Sequence, residues 1–269
     1  MLEVKDKMLS LLCDLTYKEA PYWYGATRRP LKLDLIRPKS EIIPQPTLIW
    51  FCGGAFQQMD HHLWMPMMNW YAERGFTVAS VEYRVGAPGQ WPAPLADAWD
   101  AISYLRKNAK DFGIDPDRMA VMGESAGAYI ASAVAAGICK PEDEKPVQAA
   151  VDFYGVTDPA SMYTFEKAQG HNSIGAYMGG TPEEESDIYT KASVPAHIGP
   201  DSPAFLILHG EADIRVPLEQ SLKLKEALEK NHRKVQLVTL PEAIHGDDRF
   251  YRKDTKELVG EFLMGVLSK

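Results

Sequence analysis

The chain has 269 residues, of which 45% are hydrophobic and 25% charged, and its formal net charge is −8. That length can bury roughly three quarters of the surface an unfolded chain exposes, and the composition excludes wholesale disorder. The acidic balance argues against a nucleic-acid partner, because phosphate binding needs clustered Lys and Arg; Arg28-Arg29 and the stretch from Arg249 to Lys253 read as solvated surface.

From Met1 to Lys18 the apolar residues are interrupted by Glu3, Lys5, Asp6, Lys7 and Asp14, so no run reaches signal-peptide or membrane-span length. Cys13, Cys52 and Cys139 are odd in number and far apart, which suits a reduced thiol protein. The expectation is a cytoplasmic chain without membrane attachment. Leu31 to Ile36 then reads as a strand, stopped by Arg37-Pro38, and Thr47 to Cys52 as a buried strand ending at Gly53-Gly54. Met65 to Arg74 is expected to be helical, closed by Gly75, and Phe76 to Tyr83 is a β-branched and aromatic strand.

A Gly/Pro-rich loop, Gly86 to Pro94, leads into a helix expected over Leu95 to Phe112, where Ala98, Ile102 and Leu105 recur at helical spacing. Asp115-Pro116 turns the chain into a strand over Arg118 to Met122, and Ser125 to Gly137 reads as a small-residue helix. Ala149 to Tyr154, Ala204 to His209 and Val235 to Leu240 complete the strands, with helices over Leu218 to Asn231 and Asp254 to Leu267. This alternation predicts an α/β fold with a mostly parallel central sheet flanked by helices. There is no repeat and no composition break, so residues 1–269 are read as one domain. The connection from Val156 to Pro203 is too long for a plain loop, and residues 156–203 are read as a small cap insertion with a short helix near Pro182 to Ile188.

The sharpest chemical signal is Gly123-Glu124-Ser125-Ala126-Gly127. It follows a strand and opens a helix, the setting in which a tight turn pushes a serine Oγ out at the strand end. A serine hydroxyl needs a base, and the base needs an orienting group. Asp213 follows the strand Leu206 to His209, and His245 follows the strand that ends at Leu240. The chain order Ser125, Asp213, His245 is that of an α/β-hydrolase triad. Asp158 is the alternative acid. Phe51-Cys52-Gly53-Gly54-Ala55-Phe56 offers small residues whose backbone can approach a substrate oxygen. His61-His62 lacks the spacing of a zinc site and reads as solvated loop, while Met59, Met65, Met67 and Met68 with Trp64 and Trp70 suit either an acyl pocket or core packing.

Taken together, CGGAF, Tyr83-Arg84 with the later PAPLAD, GESAG, HGEADIRVP and His245-Gly246 resemble the α/β-hydrolases of the acetyl-esterase and hormone-sensitive-lipase-like group, which includes small esterases of acylated sugars. The resemblance runs from about Leu31 to Leu267. It implies an α/β-hydrolase fold, a Ser125–His245–Asp213 triad and oxyanion donors from the backbone of Gly54, Ala55 and Ala126. It implies a small-molecule ester substrate, such as an acetylated oligosaccharide, with no cofactor and no metal. Feruloyl esters and aryl formamides are the rival substrates, and a non-catalytic binding protein the rival class; a homo-oligomer is compatible with the sequence. One departure stands out: relatives carry His-Gly-Gly-Gly where this chain has Cys52-Gly53-Gly54-Ala55. Cys52 is read as an inert buried thiol in place of that histidine.

Overall fold

Thr47 to Phe51 is apolar or β-branched at every position, the signature of a strand covered on both faces rather than one. In the computed structural model, which describes residues 8–22, 25–39 and 44–268, this segment lies inside the strand β3 (Gln45–Phe51), the fourth strand in from one edge of the sheet. Its side chains alternate between two cores: Ile49 and Phe51 pack into one, Leu48 and Trp50 into the other.

Eight strands form one sheet. They are β1 (Leu9–Tyr22), β2 (Thr27–Pro38), β3, β4 (Thr77–Val81), β5 (Ile114–Glu124), β6 (Ala149–Phe153), β7 (Ala204–Gly210) and β8 (Val235–Leu240), in the spatial order β1-β2-β4-β3-β5-β6-β7-β8. β1 with β2 and β2 with β4 are antiparallel; every later pairing is parallel. The helices α2 (Ala93–Lys107), α3 (Ala109–Phe112), α4 (Ala126–Ala135) and α8 (Glu219–Lys230) supply the first core. The helices α1 (Met65–Ala72) and α9 (Lys253–Leu267) supply the second. All ten residues of α4 are buried, and its alanines let the helix backbone sit close to the central strands. No helix among the described residues is long and apolar enough to cross a membrane.

Three departures from the sequence expectation have physical causes. The segment around Leu9 to Lys18 was read only for what it excludes, yet it forms the 14-residue edge strand β1. Its alternation is broken by register shifts between Leu12 and Leu15 and between Thr16 and Lys18, with Asp14 at φ +57, so the two-residue period is lost to a bulge. The helix expected over Leu95 to Phe112 breaks at Asn108 into α2 and α3. The connection between β6 and β7 carries three short helices, α5 (Pro159–Ala168), α6 (Ser173–Met178) and α7 (Ser186–Ala192), and the single helix expected near Pro182 begins four residues later. α5 escaped detection because its buried face includes Glu166, whose carboxylate accepts hydrogen bonds from Ser173 Oγ and the Ile174 amide.

Candidate active site

β5 delivers Ser125 to the carboxyl end of the sheet, and α4 carries the chain away from it. Ser125 itself sits at φ +54, ψ −120, a conformation that L-residues hold only when their surroundings force it. The force is backbone packing. A Cβ on Gly123 would lie 2.3 Å from the Gly127 carbonyl oxygen, and one on Gly127 would lie 2.1 Å from that of Phe51. Both flanking positions are therefore closed to any side chain, which is the steric meaning of the G-x-S-x-G spacing.

The loops after β7 and β8 bring the other two residues in. Ser125 Oγ lies 2.9 Å from His245 Nε2, and His245 Nδ1 lies 2.7 Å from Asp213 Oδ2. In that arrangement the serine hydroxyl donates to Nε2 and the Nδ1–H donates to the carboxylate. Asp213 Oδ1 accepts from the amides of Arg215 at 2.8 Å and Val216 at 2.9 Å. Burial pushes the Asp213 carboxyl upward, but the neighbouring His209 and hydrogen bonds from His245 and the Val216 amide outweigh it and hold the group well below the ordinary carboxylate range. The acid is a fixed anion, suited to stabilise an imidazolium beside it. Asp158, the alternative acid, is engaged elsewhere: its Oδ2 meets Lys223 Nζ at 2.8 Å and Ser161 Oγ at 3.0 Å.

Sequence reading missed two supports of this relay. His209, fully buried, donates from Nε2 to the Val216 carbonyl at 2.9 Å, accepts from Ser221 Oγ at 2.6 Å and stands 3.5 Å from Asp213 Oδ2. It pins the loop that presents the acid. The Tyr154 ring stands edge-on to His245 with centroids 4.8 Å apart and limits its rotation. The HG of HGEAD was the available signal for the first; nothing local to Tyr154 marked the second.

Gly54, Ala55 and Ala126 line the cleft beside Ser125. The amide of Ala126, at the first position of α4, has no acceptor within its helix. Ala55 and Phe56 take φ +54 and +61, a left-handed pair that costs on the order of 1–3 kcal/mol per residue and must be held from outside. Four groups of contacts hold it. Gln57 and Gln58 amides donate to the Gly54 carbonyl at 3.0 and 3.2 Å. Glu124 Oε1 accepts from the Gly53 amide at 2.7 Å and from Trp64 Nε1 at 3.3 Å. Tyr83 OH donates to the Cys52 carbonyl at 2.5 Å. The Phe56 ring stacks on Tyr177 of α6, centroids 3.9 Å apart and 3° from parallel. These partners brace the loop that relatives open with a histidine. Cys52 is buried, its thiol lies against the Gly53 and Asp60 carbonyls, and burial pushes its pKa up to about 12, so it offers no thiolate.

The cleft has a volume of about 570 Å³ and is roofed by the helical segment between β6 and β7. Its lining combines apolar residues, among them Val156, Met162, Ile174 and Val216, with polar ones, among them Gln57, Gln58, Gln169, His171, Asn172 and Arg215. None of the methionine and tryptophan residues from Met59 to Trp70 lines it; Met65 and Met68 are core, and Trp64 stacks on Tyr251 at 4.3 Å. The reading of His61-His62 as solvated loop fails for His61, which is 5% exposed.

A mixed, mostly parallel sheet covered by helices, a strained serine between strand and helix, and an acid and a histidine on the two following strand ends define an α/β-hydrolase. Within that class, residues 33–228 match the BD-FAE family, to which the chain belongs. It is 30% identical over 237 residues to Esterase LipQ of Mycobacterium tuberculosis, covering 84% of this chain and 56% of that protein. The chain thus spans about half the length of the curated relatives it matches. Among solved structures, the acetyl ester-xyloside bifunctional hydrolase from Caldicellulosiruptor lactoaceticus superposes with a TM-score of 0.80 at 27% identity, covering 94% of this chain and 96% of that one. A truncated carbohydrate esterase from gut microbiota shares the fold at a TM-score of 0.78 and 23% identity, covering 97% of each chain.

Proposed function

We propose that this protein is a serine carboxylesterase that removes short acyl groups, acetyl foremost, from sugars or other small alcohols. The observation that carries the reading is the continuous relay from Ser125 Oγ through His245 to the anionic Asp213, opening into a cleft beside free helix-end amides. His245 takes the serine proton as Oγ attacks the ester carbonyl. The amides of Gly54, Ala55 and Ala126 receive the oxyanion. The alcohol then leaves with the proton from His245, and water hydrolyses the acyl-enzyme by the same route. Removing one oxyanion donor in such sites costs on the order of 2.7–4 kcal/mol.

The shape of the cleft supports the substrate class. Its apolar lining residues suit a small acyl group, and its side-chain amides suit the hydroxyls of a polyol alcohol. The acetyl ester-xyloside hydrolase that superposes on this chain supports the same reading. An intact relay favours catalysis over a binding-only role. The unbroken eight-stranded sheet supports one domain over residues 1–269, with 156–203 as its cap, and three free thiols support a reducing, cytoplasmic setting.

The test is hydrolysis of p-nitrophenyl acetate, butyrate and octanoate by wild type and Ser125→Ala, followed by acetylated xylo-oligosaccharides, methyl ferulate and N-formylkynurenine. We expect turnover of the acetyl and butyryl esters and of the acetylated sugars, with kcat lowered on the order of 10⁶-fold in the variant. Turnover of the formamide alone would replace the esterase reading. Equal rates for the two proteins would return the chain to the binding class.

A further inference from the structure

Outside the cleft, the described residues hold a second set of donors that the ester chemistry does not use. Bulged edge strand β1, strand β2 and the segment after the oxyanion loop converge there. Asp14, His61 and His62 each bring one donor atom to within 4.8 Å of the others. Asp34, on β2, faces both imidazoles: its Oδ1 is 3.6 Å from His61 Nε2 and its Oδ2 is 3.6 Å from His62 Nε2.

The arrangement is unfinished as it stands. The His61 side chain is 7% exposed, yet its Nε2 has no hydrogen-bond partner, and 3.6 Å is too long for one to Asp34. An orphaned buried ring nitrogen aimed at a buried carboxylate needs something between them. His62 is already oriented: its Nδ1 bonds Asp60 Oδ1 at 2.9 Å, which leaves Nε2 facing Asp34. A carboxylate on the far nitrogen is how metal-bound imidazoles are usually held. Asp34 is likewise fixed, its Oδ1 accepting from the Asp14 amide at 2.8 Å. Asp14, Asp34 and Asp60 bring three carboxylates to the cluster, and Lys32, on Asp14 Oδ1 at 2.9 Å, is the cation paired with them.

Tetrahedral coordination with bonds of about 2.1 Å places ligand atoms about 3.4 Å apart. Each 3.6 Å separation runs to a different oxygen of Asp34 and is close to that edge length, so Asp34 faces the site with both oxygens, one toward each imidazole, and Asp14, exposed on its bulge, brings its own donor to within 4.8 Å of the two histidines. We propose that Asp34, His61 and His62, with Asp14 as fourth ligand, form a structural site for a divalent transition metal of the zinc class. Two imidazoles and two carboxylates suit zinc rather than magnesium or calcium, which prefer oxygen ligands throughout. The ion lies away from the reacting serine. It ties the β1–β2 hairpin to the chain just after the oxyanion loop, a segment also held by Ser80 Oγ donating to the His61 carbonyl at 2.5 Å.

The test uses full-length protein dialysed against EDTA and then freed of it. Zinc sulfate is titrated by calorimetry, and cobalt(II) chloride is followed by visible absorption. One zinc per chain should bind with micromolar or tighter affinity, cobalt should give the strong bands of a four-coordinate ion, and the thermal midpoint should climb with free zinc. His62→Gln and Asp14→Asn change exposed side chains and should unfold with wild type in EDTA. Zinc affinity should fall at least tenfold in Asp14→Asn and be lost in His62→Gln, while His232→Gln, in the turn after α8, should bind as wild type. Absence of one-to-one binding, or wild-type affinity in His62→Gln, would overturn the proposal.

Discussion

The two halves of the site around Ser125 are held in different ways. The turn at Ser125 is locked by backbone against backbone: Gly123 and Gly127 approach neighbouring carbonyls so closely that no side chain fits. The loop from Cys52 to Phe56 is locked by side chains from afar, with Glu124 on the Gly53 amide, Tyr83 on the Cys52 carbonyl and Tyr177 under Phe56. Both hold residues at positive φ. A steric lock tolerates no substitution at its contact points. A lock made of hydrogen bonds and a ring stack can lose one member and keep its shape in part. That distinction accounts for the replaced histidine at Cys52: other residues supply the brace.

The relay that both halves serve sets the upper end of the scale. Asp213→Asn should lower kcat by about 10⁴-fold, because the amide favours the wrong imidazole tautomer. Its second signature is in stability. The folded-state pKa of Asp213 is depressed, so its stabilisation is present above about pH 4 and lost as pH falls through the folded value. The thermal midpoint of wild type should therefore exceed that of Asp213→Asn near neutrality, and the gap should narrow on acidification; a gap independent of pH would contradict the assignment.

Breaking the steric lock comes next. Gly127→Ala sets a methyl 2.1 Å from the Phe51 carbonyl and should cost about 3 kcal/mol or more, with activity reduced on the order of 10³-fold in whatever folds. Denaturant unfolding beside ester kinetics would read both effects. The hydrogen-bonded lock should yield less. Glu124→Ala removes a charge-assisted bond to the Gly53 amide, worth about 1.5–3 kcal/mol, so kcat should drop by about 10- to 100-fold with KM little changed. Glu124→Gln, which still offers an acceptor, should recover most of it. Recovery by neither, or a loss seen mainly in KM, would mean that Glu124 does not position the loop.

The smallest effect concerns Cys52. With its thiol buried and its pKa pushed up to about 12, it should resist iodoacetamide at pH 8 until the chain unfolds, while the exposed Cys13 and Cys139 react. Mass spectrometry of the alkylated protein counts the sites. Full modification of Cys52 in the folded state, with loss of activity, would reopen its role.

Local chemistry made much of this molecule readable. The apolar runs of β3, β6 and β7 announced a covered parallel sheet, and Gly123 to Gly127 announced the turn, because sterics at that turn admit few alternatives. Asp213 and His245 could be nominated by chain order, since each follows a legible strand. β1 could not be read, because the bulge at Asp14 destroys its period, and α5 could not, because it buries Glu166. The braces were equally hidden. Glu124 stood inside the motif, but its partner Gly53 is 71 residues away, and Tyr83 and Cys52 are 31 apart.

By itself, then, the sequence determined the fold class and the strand-end positions of Ser125, Asp213 and His245, since those depend on short-range sterics and on hydrophobic period. Only the tertiary structure decided what holds the loop from Cys52 to Phe56. It also decided which acid meets His245, and that Asp14 and Asp34 each meet the pair His61 and His62. Those outcomes depend on contacts between residues far apart in the chain, whose partners no local pattern specifies.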